Sequence, residues 1–397
     1  MNLKLAVIGQ GYVGLPLALI ASKSGFVVFG IDSDALKVSK LQRGVSPIED
    51  VDSFQITEGI DSGSYFPTSD YSLINGCSVI LICVPTPLNN VQAPDLSYLK
   101  AAATRIGEHL SPGSLVILES TVSPGTTRNF LVKTIEAASG LDQSEFNIAF
   151  SPERIDPLNR KWNIKNTPKI VSGLTENSTR MAAEFYAKFI DEVITVESLE
   201  IAETAKLLEN SFRLVNISFI NEIAIFCDEL GIDITKVIQA AASKPYGFMP
   251  FYPGIGVGGH CIPVDPIYLS HKAGEIGASS NFIELAVKVN RDRPNYFVEK
   301  AQQKLGTLSQ KKILVIGVAY KPNVSDTRET PVKALIDGLI DRGANVSWHD
   351  KLVKTWEGGQ SAPLDDNYDL AIIATLHDSV DLSELGNTPI INTRNSV

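Results

Sequence analysis

No apolar run in this 397-residue chain is long enough to span a membrane, which takes about 18 residues or more. The longest nearly unbroken runs, Leu15 to Ala21 and Ser78 to Val84, fall far short. There is no lysine- and arginine-rich run, and the formal net charge of -10 with a pI near 5.1 removes the electrostatic footprint of a nucleic-acid binder. An anionic ligand would need local basic residues or helix N-termini. Cysteine is scarce: Cys77, Cys83, Cys227 and Cys261 are scattered and none forms a CxxC pair, which argues against a disulfide framework or a structural zinc site. The N-terminus has one lysine ahead of a short apolar run and no small-residue cleavage site, so no signal peptide is expected and the cytoplasm is the expected compartment. Short-period repeats and low-complexity tracts are absent too. What remains, 44% hydrophobic and 20% charged, is a globular chain long enough for two or three domains with real cores.

The opening reads as a strand (Leu3 to Ile8), a glycine-rich turn, a helix (Val13 to Ser24), Gly25, and a second strand (Val27 to Ile31) ending at Asp32. That is a βαβ unit. Further strands are expected at Val79 to Val84, Leu115 to Glu119, Ile148 to Phe150 and Lys169 to Ser172, with helices between most of them, as in a doubly wound parallel sheet. From Ile201 to Phe226 the character changes. Ile201, Ala205, Leu208, Phe212, Val215, Phe219, Ile223 and Phe226 recur every three or four residues without Gly or Pro, predicting one long amphipathic helix. More helix is expected at Asp233 to Ala242 and Ser280 to Lys304, around the Pro- and Gly-rich stretch Lys244 to Pro266. The α/β pattern then returns, with strands at Lys312 to Val318, Asn345 to His349, Leu370 to Ala374 and Ile390 to Asn392, and a helix at Thr330 to Arg342. The expected division is an α/β domain over 1–195, a helical domain over 196–305 and a second α/β domain over 306–397.

Gly9-Gln10-Gly11-Tyr12-Val13-Gly14 follows a strand, opens a helix, and is followed 18 residues beyond Gly14 by Asp32 at the end of the next strand. In such a fingerprint the glycines allow a tight turn and close backbone approach to a pyrophosphate, whose charge the helix N-terminus stabilises. Asp32 would bond the adenine ribose hydroxyls and repel a 2'-phosphate, favouring NAD over NADP. The turns Pro85-Thr86-Pro87 and Ser120-Thr121-Val122 also follow strand ends where such sheets bind ligands. The third α/β unit lacks the fingerprint after its first strand, so it is expected to bind something other than a second dinucleotide in the standard way.

Cys83 and Cys227 read as packing residues, and Cys77 suggests no role. Cys261 differs, because it ends the run Pro253-Gly254-Ile255-Gly256-Val257-Gly258-Gly259-His260, a loop that presents a thiol rather than burying it. Beside an NAD site, a presented thiolate suggests oxidation through a thiohemiacetal and thioester. Two other readings stand beside it: His260, Cys261 and Asp265 as zinc ligands, or a structural glycine loop. Lys206 and Asn210, four apart on one helix face, are either solvated or stabilise an oxyanion. Glu153, after the strand at Ile148 to Phe150, is a candidate base. Tyr296 and Lys300 match a YxxxK pattern but lie far from the fingerprint on a helix, which reads as coincidence.

Together Gly11 to Gly14, Val84-Pro85-Thr86-Pro87, Glu119-Ser120-Thr121-Val122, Ser151-Pro152-Glu153, Lys206 with Asn210, Gly258-Gly259-His260-Cys261 with Asp265, and Gly317-Val318-Ala319-Tyr320-Lys321 with Asp326-Thr327-Arg328 resemble, in order, the UDP-glucose/GDP-mannose dehydrogenase family. The resemblance implies an N-terminal Rossmann domain that binds NAD, a central helical dimerisation domain, and a C-terminal Rossmann-like domain that binds UDP. It also implies a homodimer and a four-electron oxidation of a sugar C6 hydroxyl to a carboxylate using two NAD. In that scheme Lys206 and an Asp265-bound water assist the first deprotonation, and Cys261 adds to the aldehyde. Water activated near Glu153 and positioned by Thr121 then hydrolyses the thioester, while Lys206 and Asn210 stabilise the oxyanion. Gly9, Gly11, Tyr12, Val13, Gly14, Asp32, Thr86, Thr121 and Arg328 would contact NAD. Glu153, Arg154, Lys206, Asn210, Phe251, Tyr252, Gly254, Gly258 and Lys321 would hold substrate, with no metal.

Typical UDP-glucose members have a lysine where this chain has Val264 and a second glutamate where it has Pro157. The segments Ser151 to Pro157 and Phe248 to Gly254 instead look like bacterial UDP-N-acetylhexosamine 6-dehydrogenases, with Leu158 a departure where glycine is usual after Asp156-Pro157. UDP-N-acetylglucosamine is the expected substrate, ahead of the galacto and manno sugars and UDP-glucose. From other classes, an epimerase with retained NAD and a non-catalytic NAD-binding module remain as rivals.

Overall fold

The computed structural model describes residues 3–155, 159 and 161–394, so Asp156, Pro157 and Leu158 lie outside the described residues. The chain packs as two compact units, residues 1–208 and 209–397.

In the first unit, β1 (Lys4–Ile8), α1 (Gly14–Lys23) and β2 (Val27–Ile31) form the expected βαβ opening. They are followed by α2 (Ala35–Gln42), α3 (Ser53–Asp61), β3 (Tyr65–Thr68), β4 (Val79–Ile82), α4 (Ser97–Gly107), β5 (Leu115–Leu118), α5 (Val132–Ser139) and β6 (Asn147–Phe150). The unit's sheet is completed by β7 (Lys169–Gly173), α6 (Glu176–Tyr186) and β8 (Val193–Thr195). Among the described residues the strand order is β3-β2-β1-β4-β5-β6-β7-β8. Strands β4 and β5, VILI and LVIL, are buried along their whole length, as central parallel strands covered on both faces must be. Helices lie on both sides: one core gathers Leu15, Leu19, Phe26 and Phe185, the other Leu99, Ile106, Leu131 and Phe150. The expectation of an all-parallel sheet fails at one place. Strand β7 runs antiparallel to β6, with Phe150 opposite Ser172, so β6 and β7 are joined without the crossover helix that parallel strands need.

The long helix α7 (Leu199–Glu229) extends the expected range by a few residues at each end, stopping where Gly231 takes a left-handed φ of 67°. Its buried face is not the apolar stripe of the sequence. Ala202, Glu203, Lys206, Leu207, Asn210, Leu214, Ser218 and Asn221 are buried, whereas Leu208, Phe212, Phe219 and Phe226 are exposed.

In the second unit α8 (Ile234–Ala242) and α9 (Asp265–Glu275) precede α10 (Asn281–Leu305). A four-stranded parallel sheet follows, built from β9 (Lys312–Ile316), α11 (Val332–Asp341), β10 (Asn345–His349), the small hairpin β11 (Thr355–Trp356) and β12 (Gly359–Gln360), β13 (Leu370–Ile373) and β14 (Ile390–Asn392). Its order is β10-β9-β13-β14. The second half of α10 belongs to this sheet's core, since Phe297, Val298 and Ala301 pack with Val332, Leu335 and Leu339 of α11. No helix among the described residues is long and apolar enough to cross a membrane.

Candidate active site

The fingerprint turn lies where strand order reverses, between β1 and β4, at the carboxyl ends of the strands. A Cβ at Gly9, where φ is 92°, would lie 2.5 Å from the Cys83 carbonyl oxygen, and one at Gly14 only 1.9 Å from the Gly9 oxygen. At Gly11 a Cβ would meet nothing within 4 Å. Two glycines close the turn and the third leaves an open lane across the start of α1, which is the cradle a pyrophosphate fits. Asp32 is buried at the end of β2, with Oδ2 accepting the Gln10 amide at 2.8 Å and Oδ1 the Asp34 amide at 2.9 Å. Lys37 Nζ also reaches Oδ2 at 2.8 Å, a neighbour the sequence reading missed. Tyr12 is exposed beside the lane. The next two strand ends are tied together, because Thr86 Oγ1 donates to the Thr121 carbonyl at 2.8 Å and Ser120 Oγ to the Val84 carbonyl at 2.6 Å.

Beyond β6 the Glu153 side chain folds back on its own turn, and Oε1 accepts the Arg154 and Ile155 amides, each at 2.6 Å. Arg154 Nη1 donates to the Pro168 carbonyl at 2.8 Å. Behind Glu153 lies a buried cluster of Glu119, Lys169 and Tyr186, with Lys169 Nζ 2.6 Å from Glu119 Oε2 and the Tyr186 hydroxyl bonded to Glu119 Oε1. No role was read for these three from sequence. A lysine heading an otherwise apolar strand was the available signal, because buried lysines need partners.

On α7, Lys206 and Asn210 are each only 8% exposed, which overturns the solvated-face reading. Asn210 Nδ2 donates to Asp265 Oδ2 at 2.5 Å, and the Asp265 amide donates to the Cys261 carbonyl at 2.8 Å, so these sequence-distant residues are brought together. Asp265 is buried at the first turn of α9. Cys261 is exposed, whereas Cys77 and Cys227 are buried. Burial pushes the Cys77 thiol up to about 11 and the Cys83 thiol well above the usual range, leaving both poor nucleophiles.

The loop before Cys261 is held from several sides. Asn221 Oδ1 accepts the Gly254 amide at 2.9 Å, Arg293 Nε donates to the Gly254 carbonyl at 3.1 Å, and Asn290 Oδ1 accepts the Val257 amide at 2.7 Å. A Cβ at Gly258 would lie 2.6 Å from the Glu329 carbonyl oxygen, and one at Gly259 would be 2.9 Å from the Tyr320 ring. The loop is thus pressed onto the segment that carries Tyr320, Lys321 and Arg328, whose guanidinium grips Asp326 Oδ2 at 2.6 Å. Phe251 packs edge-on against Phe212 at 5.8 Å, and Tyr252 is exposed. Among the described residues no group of three or more His, Cys, Asp and Glu side chains could hold a metal ion. The YxxxK pair is structural: the Tyr296 hydroxyl and Lys300 Nζ both bond Asp228 Oδ2, fastening α10 to the end of α7.

In the C-terminal sheet, Asp350 is the counterpart of Asp32, but it is committed. Its Oδ2 accepts the Val318 and Ala319 amides and its Oδ1 the Leu352 and Val353 amides, with His377 Nε2 at 3.0 Å. Burial opposes its charge, but these bonds and His377 outweigh it and hold the carboxyl down at about 2. No acceptor remains for a dinucleotide ribose, in keeping with the missing fingerprint.

Three domain models of the UDP-glucose/GDP-mannose dehydrogenase family match the chain: the NAD binding domain over residues 3–190, the central domain over 200–292 and the UDP binding domain over 314–397. The chain belongs to this family. It is an NAD-dependent UDP-sugar dehydrogenase with the three-domain architecture of its relatives. A Salmonella typhi UDP-N-acetyl-D-glucosamine 6-dehydrogenase is 36% identical over 95% of this chain and 90% of its own length. Among solved structures, a UDP-D-ManNAc dehydrogenase from Pyrococcus horikoshii superposes with a TM-score of 0.92 at 31% identity, covering 100% of this chain and 96% of that one. An NDP-N-acetyl-D-galactosaminuronic acid dehydrogenase from Methanosarcina mazei Go1 gives a TM-score of 0.84 at 30% identity, covering 100% and 92%. The open lane at Gly11 and the acidic end of β2 are what an NAD-binding member of this family needs.

Proposed function

We propose that this enzyme oxidises the C6 hydroxyl of a UDP-N-acetylhexosamine, with UDP-N-acetylglucosamine the preferred sugar, to the uronic acid. NAD, when bound, accepts one hydride per oxidation, so two are consumed per sugar. Lys206 and a water held by Asp265 assist the deprotonation of the hydroxyl in the first step. The Cys261 thiolate then bonds to the aldehyde carbon, giving a thiohemiacetal whose oxidation yields a thioester and a proton. Thr121 positions a water that Glu153 deprotonates; the C–S bond breaks, the carboxylate leaves and the Cys261 thiolate is restored. Lys206 and Asn210 stabilise the oxyanions on the way. Gly9, Gly11, Tyr12, Val13, Gly14, Asp32, Thr86, Thr121 and Arg328 serve the cofactor; Arg154, Phe251, Tyr252, Gly254, Gly258 and Lys321 serve the sugar nucleotide.

The observation that carries this reading is the exposed Cys261 held one turn from the buried Asn210–Asp265 pair, while the other cysteines are packed or lie in the core. The Salmonella relative's name supports the gluco sugar. A panel of UDP-sugars scored for NADH per mole tests it: UDP-N-acetylglucosamine is turned over fastest, with two NADH per sugar, and Cys261→Ala abolishes net turnover. Uronate formation at the wild-type rate in Cys261→Ala would sink the thioester route, and faster turnover of the manno or galacto sugar would reassign the substrate.

The enzyme acts as a homodimer joined through α7. Ile201 and Leu208, and separately Phe212, Phe219 and Phe226, repeat at seven-residue spacing and are all exposed, an apolar stripe typical of a helix that packs on a partner.

A further inference from the structure

A lysine is buried only with partners, and the partners of Lys169 follow from the antiparallel pairing of β6 with β7. Phe150 pairs with Ser172, and beyond that pair the segment after β6 runs beside the start of β7, where Lys169 and Glu153 meet. Leu118 pairs with Phe150 on the other side, which sets Glu119 beside Ser151. Lys169 Nζ therefore sits between two carboxylates, 2.6 Å from Glu119 Oε2 and 3.8 Å from Glu153 Oε2, and donates to the Pro152 carbonyl at 3.3 Å. Its remaining face lies 5.2 Å from the centre of the Tyr186 ring. Glu119 is 1% exposed and Lys169 6%, so neither charge is met by bulk water. The titratable groups facing Lys169 are Glu119 at the end of β5, Glu153 beyond β6, Tyr186 at the end of α6 and Cys83 after β4. Arg154 directs Nη1 to the Pro168 carbonyl. Burial works to discharge Lys169, but Glu119 and Glu153 outweigh it and hold the ammonium charged. Burial likewise pushes Glu119 up, with Lys169 opposing.

We propose that Lys169 is a positioning residue for the water-activating carboxylate of Glu153, and that Glu119 sets how much of the ammonium's charge Glu153 receives. The inference rests on the reading of Glu153 as the base of thioester hydrolysis. An ammonium given wholly to Glu153 would hold it as a stabilised anion and a weak base. An ammonium removed would let it take a proton at higher pH and would free its turn. The shorter contact is the one to Glu119, so the ammonium is shared unequally between the two carboxylates.

The two ends of the arrangement make opposite predictions. With the full-length enzyme, acyl-enzyme on Cys261 is followed by quenching and intact mass across pH after the NADH burst. Glu119→Gln moves the acid limb of acyl-enzyme hydrolysis to lower pH by about one unit and slows hydrolysis at neutral pH; Lys169→Met moves the limb to higher pH by about as much, and Lys169→Arg restores it. Loss of a purely structural support would lower the melting temperature without splitting the two limbs in opposite directions. If both variants fold and the limbs stay fixed or move together, the proposal is overturned. If Lys169→Met does not fold, Glu119→Gln decides alone: a limb at lower pH supports the proposal and an unmoved one overturns it. Glu153→Gln separates the two levels. Hydrolysis at the wild-type rate there removes the Glu153 reading and the inference with it. Slowed hydrolysis there, with unmoved limbs in the other variants, removes the inference alone.

Discussion

Glu203 on α7 is buried, and its carboxylate is met by backbone donors: Oε2 accepts the Gly125 amide at 2.6 Å and Oε1 the Thr127 amide at 2.9 Å. Burial pushes its pKa up to about 6, against the pull of the Thr127 side chain and of the Thr127 and Gly125 amides. A folded pKa above the ordinary value of 4.5 means that the folded state binds the proton more tightly. The stabilisation is therefore complete below pH 4.5 and is lost as pH rises through about 6. Urea unfolding of the enzyme and of Glu203→Gln should diverge accordingly, the wild type losing about 2 kcal/mol relative to the variant between pH 4.5 and 7. A difference that stays constant over that range would mean that Glu203 is ionised in the fold at little cost. The same contacts tie the turn after Thr121 to the helix that carries Lys206, and Arg128 adds a second tie through Glu200 at 2.7 Å. None of this was visible in sequence, where Glu203 is one more polar residue in a helix. The presented Cys261 was legible, because a glycine-rich loop leaves a thiol little to pack under; the Asn210–Asp265 contact was not, because the two residues are 55 apart.

At the scale of elements, the fingerprint turn separates two kinds of glycine. Gly14→Ala would drive a methyl against the Gly9 carbonyl and the Cys83 side chain, and the cost of such overpacking is about 1–3 kcal/mol or more. Gly11→Ala meets nothing in the turn itself. Thermal melting should therefore fall in Gly14→Ala and stay near wild type in Gly11→Ala, while titration calorimetry shows NAD binding weakened at least tenfold in both. Tight NAD binding by Gly11→Ala would show that the pyrophosphate does not cross the lane. Elements with a strong local pattern were legible from sequence: the βαβ opening, the uninterrupted α7 and the returning strands of the C-terminal sheet all lie within a few residues of their expected places. The direction of β7 was not, because a short buried strand reads the same either way along its hydrophobic residues. That single reversal is what carries Lys169 to Glu153. The inward face of α7 was not legible either, and for a physical reason. Apolar periodicity reports that a stripe will be buried, not whether the covering surface comes from the same chain.

For the whole molecule, that stripe leads to the quaternary prediction. The buried side of α7 is rich in polar side chains, among them Glu203, Lys206, Asn210 and Asn221. The large apolar residues are left outside, with Leu208 60% exposed, Phe219 59% and Phe226 61%. Leaving such side chains in water forgoes roughly 1.5–3 kcal/mol each, a strong incentive for a second copy to cover them. Because the stripe runs along one helix, a twofold pairing would bring it against itself, so one substitution acts twice in the dimer. In sedimentation velocity at micromolar concentration the proposed dimer predicts that the wild type runs as a dimer and Phe219→Asp as a monomer. Its far-ultraviolet circular dichroism should be unchanged, since Phe219 is not part of the chain's own core. A dimer that survives Phe219→Asp combined with Phe226→Asp would place the contact elsewhere and leave the exposed stripe unexplained.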